Sequence, residues 1–336
     1  MRILIWGAGA IGGTLGAYFQ RAGHDVTFVD TAEEHVNAIA ERGLRITGPI
    51  DEFTVMAPAL TPKSLTGSWE TILLCTKAHH TTAAVQSLTS FLAADGCVVS
   101  AQNGLNERTI SNYVGAHRTV GCFVNFGADY LEPGTIHYAG RGAVVLGELD
   151  GRSTERLAAL HKLFLDFDGA AITTPNIWGY LWGKLAYGAM LFATALTNAS
   201  IADVLAEPSH RPLFTALGRE VMRVTQAQGI RAESFNGVDP NAFDPAGDDQ
   251  EAYRSLNDMV AFNRKSAKTH SGIWRDLALR KRKTEVDAQL GVIVTIGQEL
   301  GIATPLITRV IELIHEIEAG EREQGPGALE ALIKAL

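Results

Sequence analysis

Short apolar runs alternate with stretches of helical apolar spacing over the first half of the chain. Runs that are apolar at every position indicate strands covered on both faces, and the stretches between them indicate crossover helices. Residues 119–147 are rich in β-forming residues, with a turn at Pro133-Gly134. This half therefore predicts a doubly wound α/β domain of the Rossmann type. The predicted strands are 2–6, 25–29, 71–75 and 97–101, and the predicted helices are 11–22, 33–42 and 82–93.

From about Pro175 onward the apolar positions follow helical spacing. Thr304 is expected to cap the last predicted helix, because Pro305 suits a first helical turn. The segment 235–250 is rich in Pro, Gly, Asn and Asp, which indicates an exposed loop. We predict two domains, an α/β domain over 1–174 and an all-helical domain over 175–336. The helices predicted in the second domain are 177–198, 211–228, 284–300 and 305–318.

Composition excludes several classes of protein. The 336 residues carry a net charge of −8, which argues against a nucleic-acid surface, and the run Arg280–Lys283 is interpreted as a solvated helix face. No apolar run is long enough to cross a bilayer, and the N-terminus lacks the features of a signal peptide, so a cytoplasmic protein is expected. The three cysteines show no metal-ligand spacing and are expected to be buried free thiols, with no metal site.

A glycine-rich turn follows the first predicted strand and opens the first predicted helix. Its sequence, Gly7-Ala8-Gly9-Ala10-Ile11-Gly12, fits the GxGxxG pattern of dinucleotide-binding proteins. Gly7 permits a tight turn, Gly9 lets the backbone approach a pyrophosphate, and Gly12 allows the helix to pack closely on the strand. Ala10 and Ile11 then begin a helix whose free N–H groups favour phosphate. The turn therefore predicts a dinucleotide site.

Asp30 ends the second predicted strand, about 20 residues beyond the glycine turn, where a carboxylate accepts hydrogen bonds from the adenosine ribose 2′-OH. A 2′-phosphate would be repelled there, and no arginine follows until Arg42. We therefore predict that an NAD(P)H-dependent protein of this sequence prefers NADH. The alternative is that Asp30 only caps the next helix.

Five short motifs, in order along nearly the whole chain, resemble the ketopantoate reductase family. Each is a short run of consecutive residues, and their shared order is more specific than any one of them. The resemblance implies reduction of a small 2-keto acid to a 2-hydroxy acid with NAD(P)H. The motifs are the glycine turn, Leu74-Cys75-Thr76-Lys77-Ala78, Gln102-Asn103-Gly104-Leu105, Trp182-Gly183-Lys184-Leu185 and Lys283-Thr284-Glu285-Val286-Asp287, the last preceded by Ser271 and Asp276.

The resemblance assigns cofactor contacts to Lys77 and Asn103, with Asn103 also touching substrate. Both residues follow predicted strands, and ligands of open α/β sheets bind at the carboxyl ends of strands. The alternatives are an exposed lysine at a strand end and an asparagine that forms a turn before Gly104.

By the same resemblance, Lys184 binds the substrate and is the proton donor, and Glu285 is the acidic catalytic residue near the cofactor. Lys184 lies in a strongly apolar helix, where an unpaired lysine is costly to bury, so it is expected to face a cleft. The alternative for Lys184 is a surface lysine whose charged end reaches solvent. The alternative for Glu285 is a carboxylate that is favourable simply because it lies in a first helical turn.

Substrate contacts are predicted at Gly188, Phe192 and Ser271. Members of the family usually carry asparagines four and eight positions after the lysine, where this chain has Gly188 and Phe192. These positions share the face of Lys184, so the pocket is expected to be less polar. Ser271 corresponds to a substrate-binding serine.

The sequence therefore predicts an NAD(P)H-dependent reductase of small 2-keto acids. The alternatives are a β-hydroxyacid or sugar-acid dehydrogenase and a dinucleotide-binding redox sensor without turnover. Apolar helices of the second half are compatible with a homodimer.

Overall fold

A computed structural model describes residues 1–265 and 269–336. The chain forms two compact units, Met1–Ile177 and Trp178–Leu336. The first is α/β and the second is helical, as the sequence predicts. In the described ranges, none of the helices combines the length and apolar character needed to cross a bilayer.

The first unit contains an eight-stranded sheet in the order β12-β11-β8-β7-β6-β1-β2-β5 and a four-stranded sheet in the order β4-β3-β10-β9. The large sheet is parallel except where β11 pairs antiparallel with β8. The strands are β1 Arg2–Trp6, β2 Asp25–Val29, β3 Leu44–Thr47, β4 Phe53–Val55, β5 Ala59–Leu60, β6 Trp69–Leu74, β7 Leu92–Ser100, β8 Thr119–Val124, β9 Gly127–Glu132, β10 Thr135–Gly140, β11 Val144–Glu148 and β12 Ile172–Thr173.

Strand β1 shows why the central strands are mostly apolar. Ile3 and Ile5 belong to the apolar cluster on one face of the sheet, whereas Leu4 and Trp6 belong to the cluster on the other face. Successive side chains of a strand point to opposite faces, so both faces of the sheet are covered. The carboxyl ends of β1, β2, β6 and β7 consequently lie at one edge, where chemistry-bearing residues are collected.

The small sheet forms part of the same unit but was not predicted as a separate sheet. The predicted turn at Pro133-Gly134 is confirmed, and it joins β9 to β10. Strand β10 packs on the first helix, because a side chain at Gly13 would overlap the Ile136 side chain. This close packing brings the β9–β10 turn toward the start of the first helix.

The helices of the first unit agree with the predictions except that the predicted helix 82–93 is shorter. Its last residues instead begin β7, which starts at Leu92. Helices α4 and α5 were not predicted. The helices are α1 Ala10–Arg21, α2 Glu33–Arg42, α3 Thr81–Leu88, α4 Asn106–Val114 and α5 Glu155–Leu165.

In the second unit, α6 is shorter than predicted, and α7, α9, α10 and α13 were not predicted. The helix predicted over 284–300 begins with a π-helical turn, Asp287–Gly291, and continues as α11. The helices are α6 Ile177–Thr194, α7 Ile201–Ala206, α8 Arg211–Ala227, α9 Asp249–Lys265, α10 Gly272–Ala278, α11 Val292–Glu299, α12 Pro305–Glu318 and α13 Pro326–Ile333.

Two local predictions in this unit are wrong. The basic run Arg280–Lys283 is exposed but not helical, because Arg280 and Arg282 both turn back to the buried Asp276 carboxylate. The segment 235–250 is not simply an exposed loop. It is fixed by apolar side chains that are almost fully buried: Phe235, Val238 and Phe243.

The N-terminus of α12 is capped by a distant carboxylate rather than by Thr304. The Thr304 side chain makes no capping hydrogen bond, whereas the buried Glu220 of α8 accepts from the backbone N–H groups of Leu306 and Ile307 at 2.9 and 3.0 Å. Two amides that the helix itself cannot pair are thereby satisfied.

Replacing Glu220 with alanine is expected to lower the free energy of unfolding by about 3 kcal/mol, because both buried N–H groups lose their acceptor. Urea unfolding measures the effect. Glu330→Ala, at an exposed position of α13, is the control and should change stability by at most about 0.5 kcal/mol. An equally small effect of Glu220→Ala would contradict the capping role.

Candidate active site

The glycine turn has the geometry of an anion-binding loop. Gly7 adopts φ +97°, and a side chain there would lie 2.9 Å from the Thr76 backbone nitrogen. A side chain at Gly9 would meet no atom within 4 Å, so this part of the turn is open. No acceptor in the described part of the chain takes the N–H groups that begin α1, those of Ala10, Ile11 and Gly12. Free N–H groups beside an open glycine suit a pyrophosphate.

The peptide groups on both sides of Ala8 are held by side chains from the β2–α2 segment. Asp30 Oδ2 accepts from the Ala8 N–H at 2.9 Å, while Oδ1 accepts from the Ala32 N–H at 3.0 Å. The buried His35 accepts from the Gly134 N–H through Nδ1 at 2.9 Å, so its Nε2 carries the proton and donates to the Ala8 carbonyl oxygen at 2.9 Å. Sequence reasoning missed His35, since its partners lie far apart in the chain.

The surroundings of Asp30 are acidic. Burial raises the pKa of the Tyr130 phenol, and the carboxylates of Glu34, Asp30 and Glu132 raise it further. The Tyr130 ring also contacts the His35 ring, with centroids 5.0 Å apart. This concentration of negative charge near the end of β2 is unfavourable for an additional phosphate.

The loops that carry Lys77 and Asn103 are joined by side-chain hydrogen bonds. Gln102 Nε2 donates to the carbonyl oxygen immediately before Lys77 at 2.9 Å and to Thr81 Oγ1 at 2.8 Å. Thr81 donates to Asn106 Oδ1 at 2.9 Å, and Asn106 Nδ2 donates to the Asn103 carbonyl oxygen at 2.7 Å. Lys77 is half-buried and Asn103 is exposed. The network therefore fixes both loops at the carboxyl ends of β6 and β7.

The thiol nearest to the glycine turn is not reactive. Cys75 follows β6, and its Cβ would lie 2.8 Å from a side chain at Gly12. Burial raises the pKa of the Cys75 thiol far above its usual range, so it stays protonated. All three cysteines are free.

A matched pair of glycine variants separates packing from ligand binding. A side chain at Gly12 would overlap the Gly7 carbonyl oxygen, so Gly12→Ala is expected to cost about 3 kcal/mol of stability. Gly9→Ala has open space and should change stability by less than about 1 kcal/mol, yet raise the Kd for NADH about tenfold or more by obstructing the pyrophosphate. Thermal unfolding and dinucleotide titration measure the two effects. An unchanged Kd in Gly9→Ala would place the pyrophosphate elsewhere.

In the helical unit, the partly exposed residues of α6 lie on one face of the helix, which we call the open stripe. From Gly179 to Thr194 most residues are buried, and the half-buried positions follow helical spacing on one face. Lys184 is therefore at the partly exposed face of a helix whose other faces are packed. Its side chain is therefore only partly removed from solvent. The half-buried positions are Tyr180, Lys184, Tyr187, Gly188 and Leu191.

The predicted substrate contacts on α6 differ in accessibility. Gly188 is half-buried, and a side chain there would have only Gln289 Oε1 within 4 Å, at 3.9 Å. Phe192, by contrast, is fully buried, so contact with a substrate would require neighbouring side chains to move. Gly188 and Leu191 thus leave an apolar, uncrowded surface beyond Lys184, whereas the role of Phe192 stays a prediction.

Glu285 precedes the π-helical turn that leads into α11. The turn follows Thr284, whose Oγ1 accepts from the Val286 N–H at 3.3 Å and whose own N–H donates to Glu318 at 2.7 Å. Glu285 is half-buried, and its carbonyl oxygen accepts from the Gln289 N–H at 2.9 Å. Glu285 and Gln289 therefore lie one turn apart on the same side of this segment.

Ser271 has a structural role in the described structure. It is buried and caps α10, with Oγ accepting from the Trp274 N–H at 3.1 Å. Its hydroxyl hydrogen remains able to donate to another acceptor. Substrate binding by Ser271 stays a prediction.

The parallel sheet, the open glycine turn and the carboxylate at the end of β2 define a dinucleotide-binding α/β protein. The family model described as "Ketopantoate reductase PanE/ApbA" matches residues 3–151, and its C-terminal counterpart matches residues 176–318. The chain belongs to the ketopantoate reductase family. It is accordingly an NAD(P)H-dependent oxidoreductase that acts on CH–OH groups.

Individual relatives cover nearly the whole chain. A 2-dehydropantoate 2-reductase of Streptococcus pyogenes serotype M3 is 28% identical over 95% of this chain and 98% of its own length. One from Archaeoglobus fulgidus shows the same identity and coverage. The crystal structure of 2-dehydropantoate 2-reductase from Geobacter metallireducens GS-15 superimposes with a TM-score of 0.80 at 25% identity, covering 96% of this chain and all of that one.

Proposed function

We propose that this protein reduces a 2-keto acid with an apolar side chain to the 2-hydroxy acid and uses NADH in preference to NADPH. The observation that carries the proposal is the position of Lys184 on the open stripe of α6, beside the side-chain-free Gly188. Family membership supports the reaction class, and the curated relatives act as 2-dehydropantoate 2-reductases.

The glycine turn fits a dinucleotide, since the space at Gly9 is open and the first N–H groups of α1 have no acceptor in the described ranges. We assign the pyrophosphate to these groups and the adenosine ribose to Asp30, whose carboxylate can accept further hydrogen bonds beyond the two it already accepts. Lys77 and Asn103 are assigned to the rest of the cofactor. When bound, NADH supplies the hydride for the substrate carbonyl carbon.

Lys184 is assigned two tasks at the substrate carbonyl oxygen. Its ammonium donates a hydrogen bond, which stabilises the negative charge that develops on this oxygen during reduction. It then transfers the proton that completes the hydroxyl group. Glu285 is assigned to the same catalytic step as an acidic group that keeps the lysine protonated.

The surface beyond Lys184 favours an apolar substituent. Gly188 and Leu191 offer neither a donor nor an acceptor in their side chains, and Gly188 leaves room for a bulky group. Because these two positions of α6 provide no hydrogen-bonding side chain, they cannot favour a substrate hydroxyl. We therefore expect 2-keto acids with branched or aromatic side chains to be reduced at least as efficiently as 2-dehydropantoate.

The test is NADH oxidation, followed by absorbance, with a panel of 2-keto acids of increasing side-chain size and with 2-dehydropantoate. Turnover with at least one 2-keto acid, and higher kcat/KM for the larger apolar ones, is expected. Activity confined to 3-hydroxy acids and NAD⁺ would identify a β-hydroxyacid or sugar-acid dehydrogenase instead. Tight NADH binding without turnover of any of these compounds would identify a redox sensor.

A further inference from the structure

The side-chain amide of Gln289 lies next to Gly188, the position of α6 that has no side chain. The ideal Cβ position of Gly188 has one atom within 4 Å outside its own helix backbone, and that atom is Gln289 Oε1 at 3.9 Å. Both residues are half-buried. The carboxamide therefore adjoins the space that Gly188 leaves open, one helical turn beyond Lys184.

The Gln289 carboxamide has no hydrogen-bond partner within residues 1–265 and 269–336. Its backbone is nevertheless firmly placed, since the side chains of Val286 and Leu290 beside it are buried in the unit's core. The residue also lies within the π-helical turn Asp287–Gly291, a rare local conformation that frequently occurs at functional sites. A half-buried amide with unused hydrogen bonds, on a fixed backbone, is suited to binding a ligand.

We propose that the Gln289 carboxamide binds the carboxylate of the 2-keto acid, with Nε2 donating to a carboxylate oxygen. The proposal rests on the proposed function, which supplies the substrate class. A carboxylate only accepts hydrogen bonds, so its partner must be a donor. Lys184 is the one cationic side chain on the open stripe of α6, and its ammonium is already assigned to the carbonyl oxygen. Gln289 supplies a further donor, next to the position that Gly188 leaves open.

Two substitutions test this assignment. Gln289→Leu preserves the size of the side chain and removes the donor, so kcat/KM for the preferred 2-keto acid should fall about 10- to 100-fold, mainly through KM. Gln289→Glu places a negative charge against the substrate carboxylate and should lower kcat/KM at least as much. Gln298→Leu, at an exposed position of α11, is the matched control and should leave the kinetics unchanged.

A neutral substrate distinguishes binding from a structural effect. The 2-keto amide that corresponds to the preferred acid has no charge to repel, so Gln289→Glu should impair the acid much more than the amide. The Kd for NADH should be the same in wild type and in both variants. Equal losses for acid and amide, or unchanged KM in Gln289→Leu, would overturn the assignment. A wild-type enzyme that reduces no 2-keto acid would instead overturn the proposed function and, with it, this inference.

Discussion

Lys184→Ala is expected to lower kcat by about 10²- to 10⁴-fold, the usual contribution of a positioned proton donor. The hydride acceptor then develops charge on oxygen without an ammonium nearby and without a proton source. The Kd for NADH should change by less than about threefold, because the assigned cofactor contacts lie on the glycine turn and the strand ends. Steady-state kinetics at saturating NADH, with a separate dinucleotide titration, measure both quantities.

The variant Lys184→Arg separates charge from proton donation. Arginine keeps the positive charge but does not release its proton at neutral pH, so it should restore substrate binding more than kcat. Lys334→Ala, an exposed lysine beyond α13, is the control and should behave like wild type. If kcat were unchanged in Lys184→Ala, the proton would come from another group and the proposed mechanism would be wrong.

Asp30→Ala is expected to lower the ratio of kcat/KM for NADH to that for NADPH by about 100-fold or more. The ribose loses a charged acceptor worth about 1.5–3 kcal/mol, and a 2′-phosphate no longer meets this carboxylate. The variant also frees the Ala8 and Ala32 N–H groups, so its stability must be measured alongside. Kinetics with both cofactors give the ratio directly.

Two further variants test whether a change in that ratio comes from the Asp30 carboxylate itself. Asp25→Ala removes an exposed carboxylate from the other end of β2 and should leave the ratio unchanged. Thr31→Arg keeps Asp30 and adds a cation beside it, so it should raise kcat/KM for NADPH. If Asp30→Ala lowered kcat/KM for NADH and NADPH equally, Asp30 would only fix the glycine turn. The predicted NADH preference would then be wrong.

The elements that the sequence predicted well are those specified by neighbouring residues. Strands β1 and β2 have the predicted bounds, because their mostly apolar runs end at Gly7 and Asp30. The cap of α12 was wrong for the opposite reason. Glu220 lies 86 residues from Leu306, and no local pattern connects them. The segment 235–250 was likewise misjudged, since its few apolar residues are buried although its composition is polar.

The residues of the candidate site also differ in whether a local sequence motif identifies them. The glycine turn and Asp30 form a compact motif with a known physical purpose, so the sequence alone placed them. His35, Gln102 and Gln289 had no such signal. His35 and Gln102 matter because they form hydrogen bonds to residues distant in the sequence. Gln289 matters because it lies beside Gly188 of another helix. A buried histidine two residues into α2 is also common in cores, so composition could not distinguish it.

The double restraint on Ala8 has a thermodynamic consequence for dinucleotide affinity. With its N–H bonded to Asp30 and its carbonyl oxygen bonded to His35, the residue cannot rotate its peptide planes without breaking one of these hydrogen bonds. The loop is thus rigid before any nucleotide arrives, and association loses little conformational entropy. His35→Ala should therefore weaken the binding of NADH, mainly through a less favourable binding entropy. This effect does not require His35 to contact the ligand.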